Sequence, residues 1–201
     1  MALETLLLAA IVHTDQATGP AGRSARHGDD EDRLVRAFCQ SLQDQGWRVG
    51  GIAQQRLCVP GQPKQRVQLV DLRTGQAYAI SQDLGPLSQA CCIDAGRVAD
   101  ASAVLRTALR DRVQLAVTNR FGELEAGGGG FAAEIAAFAE SGIPLLTVVA
   151  RKHLDAWRRF TGGLGQELPA DMAALQDWFA RVAQTAQTPS TDTVPPPRPA
   201  C

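Results

Sequence analysis

Residues 113–131 read VQLAVTNRFGELEAGGGGF. An apolar run (Val113, Leu115, Ala116, Val117) stops abruptly at Asn119-Arg120-Phe121-Gly122-Glu123. Two carboxylates, Glu123 and Glu125, follow, then the four glycines Gly127, Gly128, Gly129 and Gly130, then an alanine-rich helical pattern. The order is buried strand, polar loop, glycine run, helix. In open α/β sheets ligands sit beyond the carboxyl ends of strands, and glycines let backbone N–H groups approach an anion closely. The stretch therefore marks a strand tip that suits a ligand, without naming one.

Outward from this point the same alternation recurs. Residues 5–12 read as a continuous apolar strand, buried on both faces. Residues 13–30 form a long polar loop, and a loop of that length is either functional or disordered. The run Asp29-Asp30-Glu31-Asp32 places negative charge where a helix N-terminus favours it. Leu34, Val35, Phe38 and Leu42 then recur at helical spacing, so residues 30–45 are read as a helix that Gly46 stops. Residues 47–53 (WRVGGIA) form a second strand, whose Gly50-Gly51 pair signals close backbone approach or a bulge. Residues 66–72 and 76–80 flank Arg73-Thr74-Gly75 as a hairpin. Residues 81–94 are irregular and 97–110 are an amphipathic helix. After the strand 113–118 come a helix 131–141 closed by Gly142, a strand 145–149 rich in β-branched residues, and helices over 152–160 and 171–184. Trp157, Phe160, Trp178 and Phe179 have the spacing of core residues. No internal repeat is present.

This alternation predicts an α/β fold of three layers, a mostly parallel sheet with an added antiparallel hairpin. One domain spans residues 1–184. The Pro/Thr/Ser-rich tail 185–201 cannot build a core and is expected to be disordered.

Composition narrows the function. The 201 residues carry a formal net charge of −1, which gives no general attraction to nucleic acid or anionic membranes. No apolar run reaches the roughly 18 residues of a membrane helix. The start, MALETLLLAAIVHTD, lacks a basic leader and carries Glu4, so it reads as a strand rather than a signal peptide. The five cysteines, Cys39, Cys58, Cys91, Cys92 and Cys201, have no zinc-site spacing, so no metal site is predicted from them. Free thiols in a reducing cytoplasm are the expectation.

The hairpin VQLVDLRTGQAYAIS, the segment CIDAGRV, the strand tip NRFGELEA and the segment SGIPLLTVVARKHLDAW together resemble the bacterial DUF 2478 family. The resemblance runs in order over residues 5–180. That family is similar to the thermophile-type P-loop nucleoside-triphosphatases, which implies a sheet of P-loop NTPase type. There a phosphate loop follows the first strand, and a later strand ends in an acidic "DEIG" motif followed by a further Glu. In this chain Asn119 and Arg120 stand in place of the acidic pair, Gly122 matches the glycine and Glu125 the later Glu.

The departures matter equally. A phosphate loop needs a Lys for the β/γ-phosphates and a Ser/Thr for magnesium. Here the first strand is followed by HTDQATGPAGRSARHGDD, with Arg23, Arg26 and His27 but no GK[ST]. Arg pairs with phosphate but does not reproduce the Lys geometry. The family's association with molybdate uptake adds an implied ligand. Molybdate is a tetrahedral dianion, and amides, helix N-termini and Arg suit it as they suit phosphate.

Each candidate residue has two readings. Asn119, Arg120, Gly122, Glu123 and Glu125 are either a ligand cluster or a solvated turn. In an extended segment Glu123 and Glu125 would share a face. Gly127 to Gly130 either wrap an anion or form a linker. His13 stands where phosphate loops begin, or is a solvated loop residue. Cys92 is a thiolate facing the site or a buried apolar residue, and Asp94 a ligand or a helix cap. Lys152 and His153, after a strand end, either neutralise an anion or lie in solvent.

Three functional classes follow. The first is a cytoplasmic protein binding a small anion, molybdate, tungstate or a nucleotide phosphate, through His13, Arg23, Arg26, the strand tip Asn119 to Glu125, Lys152 and His153. The second is a divergent triphosphatase using nucleotide with magnesium, with Arg23 or Lys152 replacing the missing Lys and Glu123 or Glu125 orienting water. The third is an interaction module with a vestigial site, whose PPPRP tail engages a protein partner or which self-associates as a homo-oligomer.

Overall fold

The computed structural model describes residues 7–13, 27–57, 66–80 and 95–187. Four strands form the centre: β1 (Leu8–His13), β2 (Val49–Leu57), β5 (Leu115–Phe121) and β6 (Leu145–Ala150). Their apolar residues are buried on both sides, which requires a layer of helices over each face. β3 (Arg66–Asp71) and β4 (Ala77–Ala79) extend one edge, and the three-residue β7 (Gln166–Leu168) extends the other. The seven strands lie in the order β4-β3-β2-β5-β6-β1-β7. β2, β5, β6, β1 and β7 are parallel, and β2-β3-β4 are antiparallel. This is the three-layer, mostly parallel α/β sheet with an added hairpin that the alternation predicts. Asp71 ties the hairpin turn: its carboxylate accepts from Arg73 N and Thr74 Oγ1, and its carbonyl from Gly75 N.

Chain direction sorts the helices. From β1 the chain crosses to β2, then returns through β5 and β6 and passes β1 to reach β7. Right-handed crossovers that run in opposite directions put their helices on opposite faces. Accordingly α1 (His27–Asp44) packs Val35, Phe38, Cys39 and Leu42 on one face, together with Leu175, Trp178, Phe179 and Val182 of α6 (Met172–Gln187). The other face takes Ala101 and Leu105 of α2 (Ala95–Arg110), Ile135 and Phe138 of α4 (Ala132–Glu140), and Trp157 of α5 (Leu154–Phe160). The strand order reverses beside β1 and β6, where their connections leave for opposite faces. In such sheets that opening is where ligands bind.

Trp157, Trp178 and Phe179 are buried and Phe160 packs on the core, as their spacing predicts. β2 runs to Leu57, four residues beyond the expected strand, because it continues into the hairpin. β7 and the short helix α3 (Glu123–Ala126) carry too few residues to show a period and were not predicted.

The Gly50-Gly51 pair is a close approach, as expected. Gly51 has φ +106 and pairs with Val117, and an added Cβ would overlap the Val117 carbonyl oxygen. Gly51→Ala is therefore expected to cost at least about 2 kcal/mol, from backbone strain plus the clash. Urea unfolding of the purified variant measures it.

Cys39 is a buried free thiol in the core beneath α1. Burial pushes its pKa up from 9.0 to about 12. The unfolded thiol ionises at the lower value, so this contribution to stability is full below pH 9 and is lost between pH 9 and about 12. A Cys39→Ala variant should show a shallower loss of stability across that window, read by denaturation at several pH values.

Candidate functional site

The site begins with an irregularity in β5. Val117 pairs with Leu146 and Arg120 with Val148, so Thr118 and Asn119 together oppose Thr147. This is a β-bulge, one extra residue in one strand. The buried Thr147 donates its hydroxyl to the Asn119 carbonyl oxygen at 2.5 Å, and Thr118 Oγ1 lies 3.4 Å from the same oxygen. Because side chains alternate with period two, the extra residue exchanges the faces beyond it. Leu115 and Val117 pack on the α1 side, yet Phe121 packs on the opposite side against Trp157, with ring centroids 5.4 Å apart. Arg120, paired with Val148 of the α1-side core, is turned toward α1.

There it meets Asp32. Arg120 NH2 donates to Asp32 Oδ1 at 2.6 Å, and Gln54 Nε2 of β2 donates to Oδ2 at 2.9 Å. Arg56 Nε, also on β2, lies 3.7 Å from Oδ2. The Asp32 carboxylate is only 4% exposed, whereas the side chains of Arg120 and Arg56 are 18% and 31% exposed. A carboxylate buried to that degree persists only when paired and hydrogen-bonded. The second terminal nitrogen of Arg120 lies 2.9 Å from Nε2 of the buried His13, at the end of β1. Arginine only donates, so a hydrogen bond here requires Nε2 to accept. One guanidinium thus joins α1, β1 and β5 at the carboxyl edge of the sheet, reaching across the end of β6.

The structure brings together two of the sequence candidates, His13 and Arg120. It adds Asp32, Gln54 and Arg56, which the sequence reading did not single out. Asp32 carried a signal: it precedes Val35 by three residues and Cys39 by seven, so it lies on the buried stripe of α1. Gln54 and Arg56 lie in the polar end of β2 and carried none.

Glu123 and Glu125 do not share a face, contrary to the expectation from an extended segment. They lie in the helical turn α3, where positions two apart point in opposite directions; Glu123 is exposed and Glu125 buried. Both Glu125 oxygens are used: Oε2 accepts from Gly122 N at 2.9 Å and Oε1 from Phe131 N at 3.2 Å. The last glycine of the run lies against this carboxylate. Gly130 has φ +56, and a Cβ there would collide with Glu125 Oε1. The amides of Gly127, Gly128 and Gly129 donate to the carbonyls of Glu123, Glu125 and Leu124. These three amides are spent on backbone carbonyls, and the anion beside the run is the chain's own Glu125.

Asn119 Oδ1 is buried with no hydrogen-bond partner among the described residues. Lys152 and His153 stand on the 3-10 turn Arg151–His153 after β6, at the same end of the sheet, with Lys152 exposed. Arg23, Arg26, Cys92 and Asp94 lie outside the described residues, as does the tail from residue 188. Among the described residues no group of three His, Cys, Asp or Glu is placed to hold a metal ion, and no helix is long and apolar enough to cross a membrane.

Glu125→Gln should destabilise the fold by about 1–3 kcal/mol, because one oxygen that accepts a backbone N–H becomes an NH2. Denaturant titration checks this; an unchanged midpoint would remove Glu125 from the frame of the loop.

Over 154 residues the chain is 38% identical to the molybdenum import ATP-binding protein ModC 2 of Bradyrhizobium diazoefficiens. The alignment covers 77% of this chain but 17% of that protein, so the chain spans about a sixth of its relative's length. No solved structure matches the chain. The model of the DUF2478 family, described as a protein of unknown function, matches residues 22–178, and the chain belongs to that family.

Proposed function

We propose that the protein binds a small oxyanion of the molybdate class at the carboxyl edge of its sheet, as a cytoplasmic accessory in molybdenum handling. One observation carries this reading: Arg120, Arg56 and Gln54 converge from two strands on a single anionic position between α1 and the sheet. Among the described residues two guanidiniums thus point at the same carboxylate. Planar guanidiniums with several donors suit tetrahedral oxyanions. The name of the relative, a molybdenum import protein, supports the choice of anion.

Hydrolysis is the weaker reading. The segment after β1 contains no GK[ST], and the resemblance to P-loop triphosphatases puts Asn119 where a magnesium-organising carboxylate would be expected. Of the two candidates to orient water, Glu125 has both oxygens occupied by backbone amides and Glu123 is exposed on α3. The relative is nevertheless called an ATP-binding protein, so nucleotide belongs in the test.

Thermal unfolding with molybdate, tungstate, sulfate, phosphate, and ATP or GTP with and without magnesium distinguishes the readings. An anion at a hundred times its Kd stabilises the native state by about 2.7 kcal/mol. Molybdate or tungstate should raise Tm, and Arg120→Ala should abolish the shift whatever its own Tm. A shift only with magnesium and nucleotide would replace this reading by a triphosphatase. No shift with any of them would leave an interaction module, tested next by partner capture with and without residues 185–201.

A further inference from the structure

We infer that Asp32 is a built-in occupant of the anion seat: in the unliganded protein its carboxylate holds the place that an external oxyanion takes. The inference rests on the oxyanion reading above and adds how the site selects its ligand. The donors that would bind an oxyanion are already arranged around an anion. Oδ1 accepts from Arg120 at 2.6 Å, and Oδ2 accepts from Gln54 at 2.9 Å with Arg56 Nε at 3.7 Å. These donors come from β2 and β5, while the carboxylate comes from α1. The cationic walls belong to the sheet, and the anion is inserted by a separate element.

The surface exposure agrees with this. The side chains of Arg120 and Arg56 keep some exposed surface, although Nε of each is buried, while the carboxylate beneath them is closed off. An arriving anion meets Arg120 and Arg56 first and must take them from Asp32. Displacement has a cost, so the apparent affinity is lower than the donors alone would give. It also discriminates by charge: a monoanion offers these guanidiniums no more than Asp32 does, whereas a tetrahedral dianion offers more charge and more oxygens. The ligand class that follows is an inorganic dianion of sulfate or molybdate size. Nitrate and formate are excluded by competition rather than by shape.

The test is calorimetric titration of the full chain and of Asp32→Asn with molybdate, sulfate, nitrate and formate. Asparagine keeps the side-chain shape and removes the competing charge. Asp32→Asn should bind molybdate or sulfate at least about tenfold more tightly than the wild type, and the preference for dianion over monoanion should narrow. Adding Arg120→Ala to it should erase the gain. A folded Asp32→Asn protein that binds equally or more weakly overturns the inference and makes Asp32 a positioning residue for Arg120. If Asp32→Asn melts too low to titrate, Asp32→Ala is taken with it. Restoration of Tm by sulfate in either variant supports the inference, and failure of sulfate to restore both overturns it. If neither wild type nor a folded variant binds any anion, the oxyanion reading itself falls. That result differs from wild-type binding without a gain in the variant, which overturns only the role of Asp32.

Discussion

One residue inserted in β5 governs the arrangement of the site. Without the bulge opposite Thr147, strict alternation would carry Phe121 to the α1 side and Arg120 to the side of α2, α4 and α5. The cation would then be buried in an apolar core and the aromatic ring would stand against Asp32. With the extra residue, each reaches the environment its chemistry requires. Phe121 joins Trp157 and Phe160, and Arg120 joins Asp32 and His13. Thr147 has no exposed surface, and its hydroxyl is spent on the Asn119 carbonyl that the bulge displaces. A buried polar side chain in the middle of a parallel sheet is explained by that one hydrogen bond.

Strand direction supplies the second constraint. Parallel strands put all their carboxyl ends on one edge, so His13, Arg56, Arg120 and the turn after β6 gather there although they are far apart in the chain. The opposite crossover directions at β1 and β6 open the sheet beside His13. α1 then brings Asp32 down from the layer above. Each functional group stands on a strand or on a helix rather than within a free loop, which holds its geometry tightly.

What was legible in the sequence follows from these physics. Apolar periodicity reports burial, so the central strands, the long helices and the aromatic core could be read directly, as could the close approach at Gly50-Gly51. The hairpin was legible because its turn needs Gly75, whereas the strand end was read too early: the apolar run stops at Asn119, but β5 continues to Phe121. The bulge was not: a single extra residue leaves no trace in composition, and VTNRF reads equally well without it. The roles of Glu123 and Glu125 inverted for a related reason. An extended segment and one turn of helix predict opposite relations for residues two apart, and four residues are too few to choose between them. Asp32 was hidden among Asp29, Asp30 and Glu31, where local charge suggested a favourable helix start. Only the register of the α1 stripe separates it from its neighbours.

Two carboxylates, Glu125 and Asp32, each occupy a position that suits an external anion, but their surroundings differ in kind. Glu125 is held by backbone amides of Gly122 and Phe131, beneath a glycine too close to admit a Cβ. Those amides cannot move without unwinding α3 and the start of α4, and the carboxylate completes the local fold. Removing it breaks structure and vacates nothing a ligand could reach. Asp32 is held by side chains: two guanidiniums and an amide at the ends of rotatable stems, and the two arginine side chains are partly exposed. Such donors can exchange one anion for another while the sheet that carries them stays still. The glycine run, which the sequence offers as either an anion cradle or a linker, is therefore the rigid part of this edge. The exchangeable part is the arginine pair over Asp32.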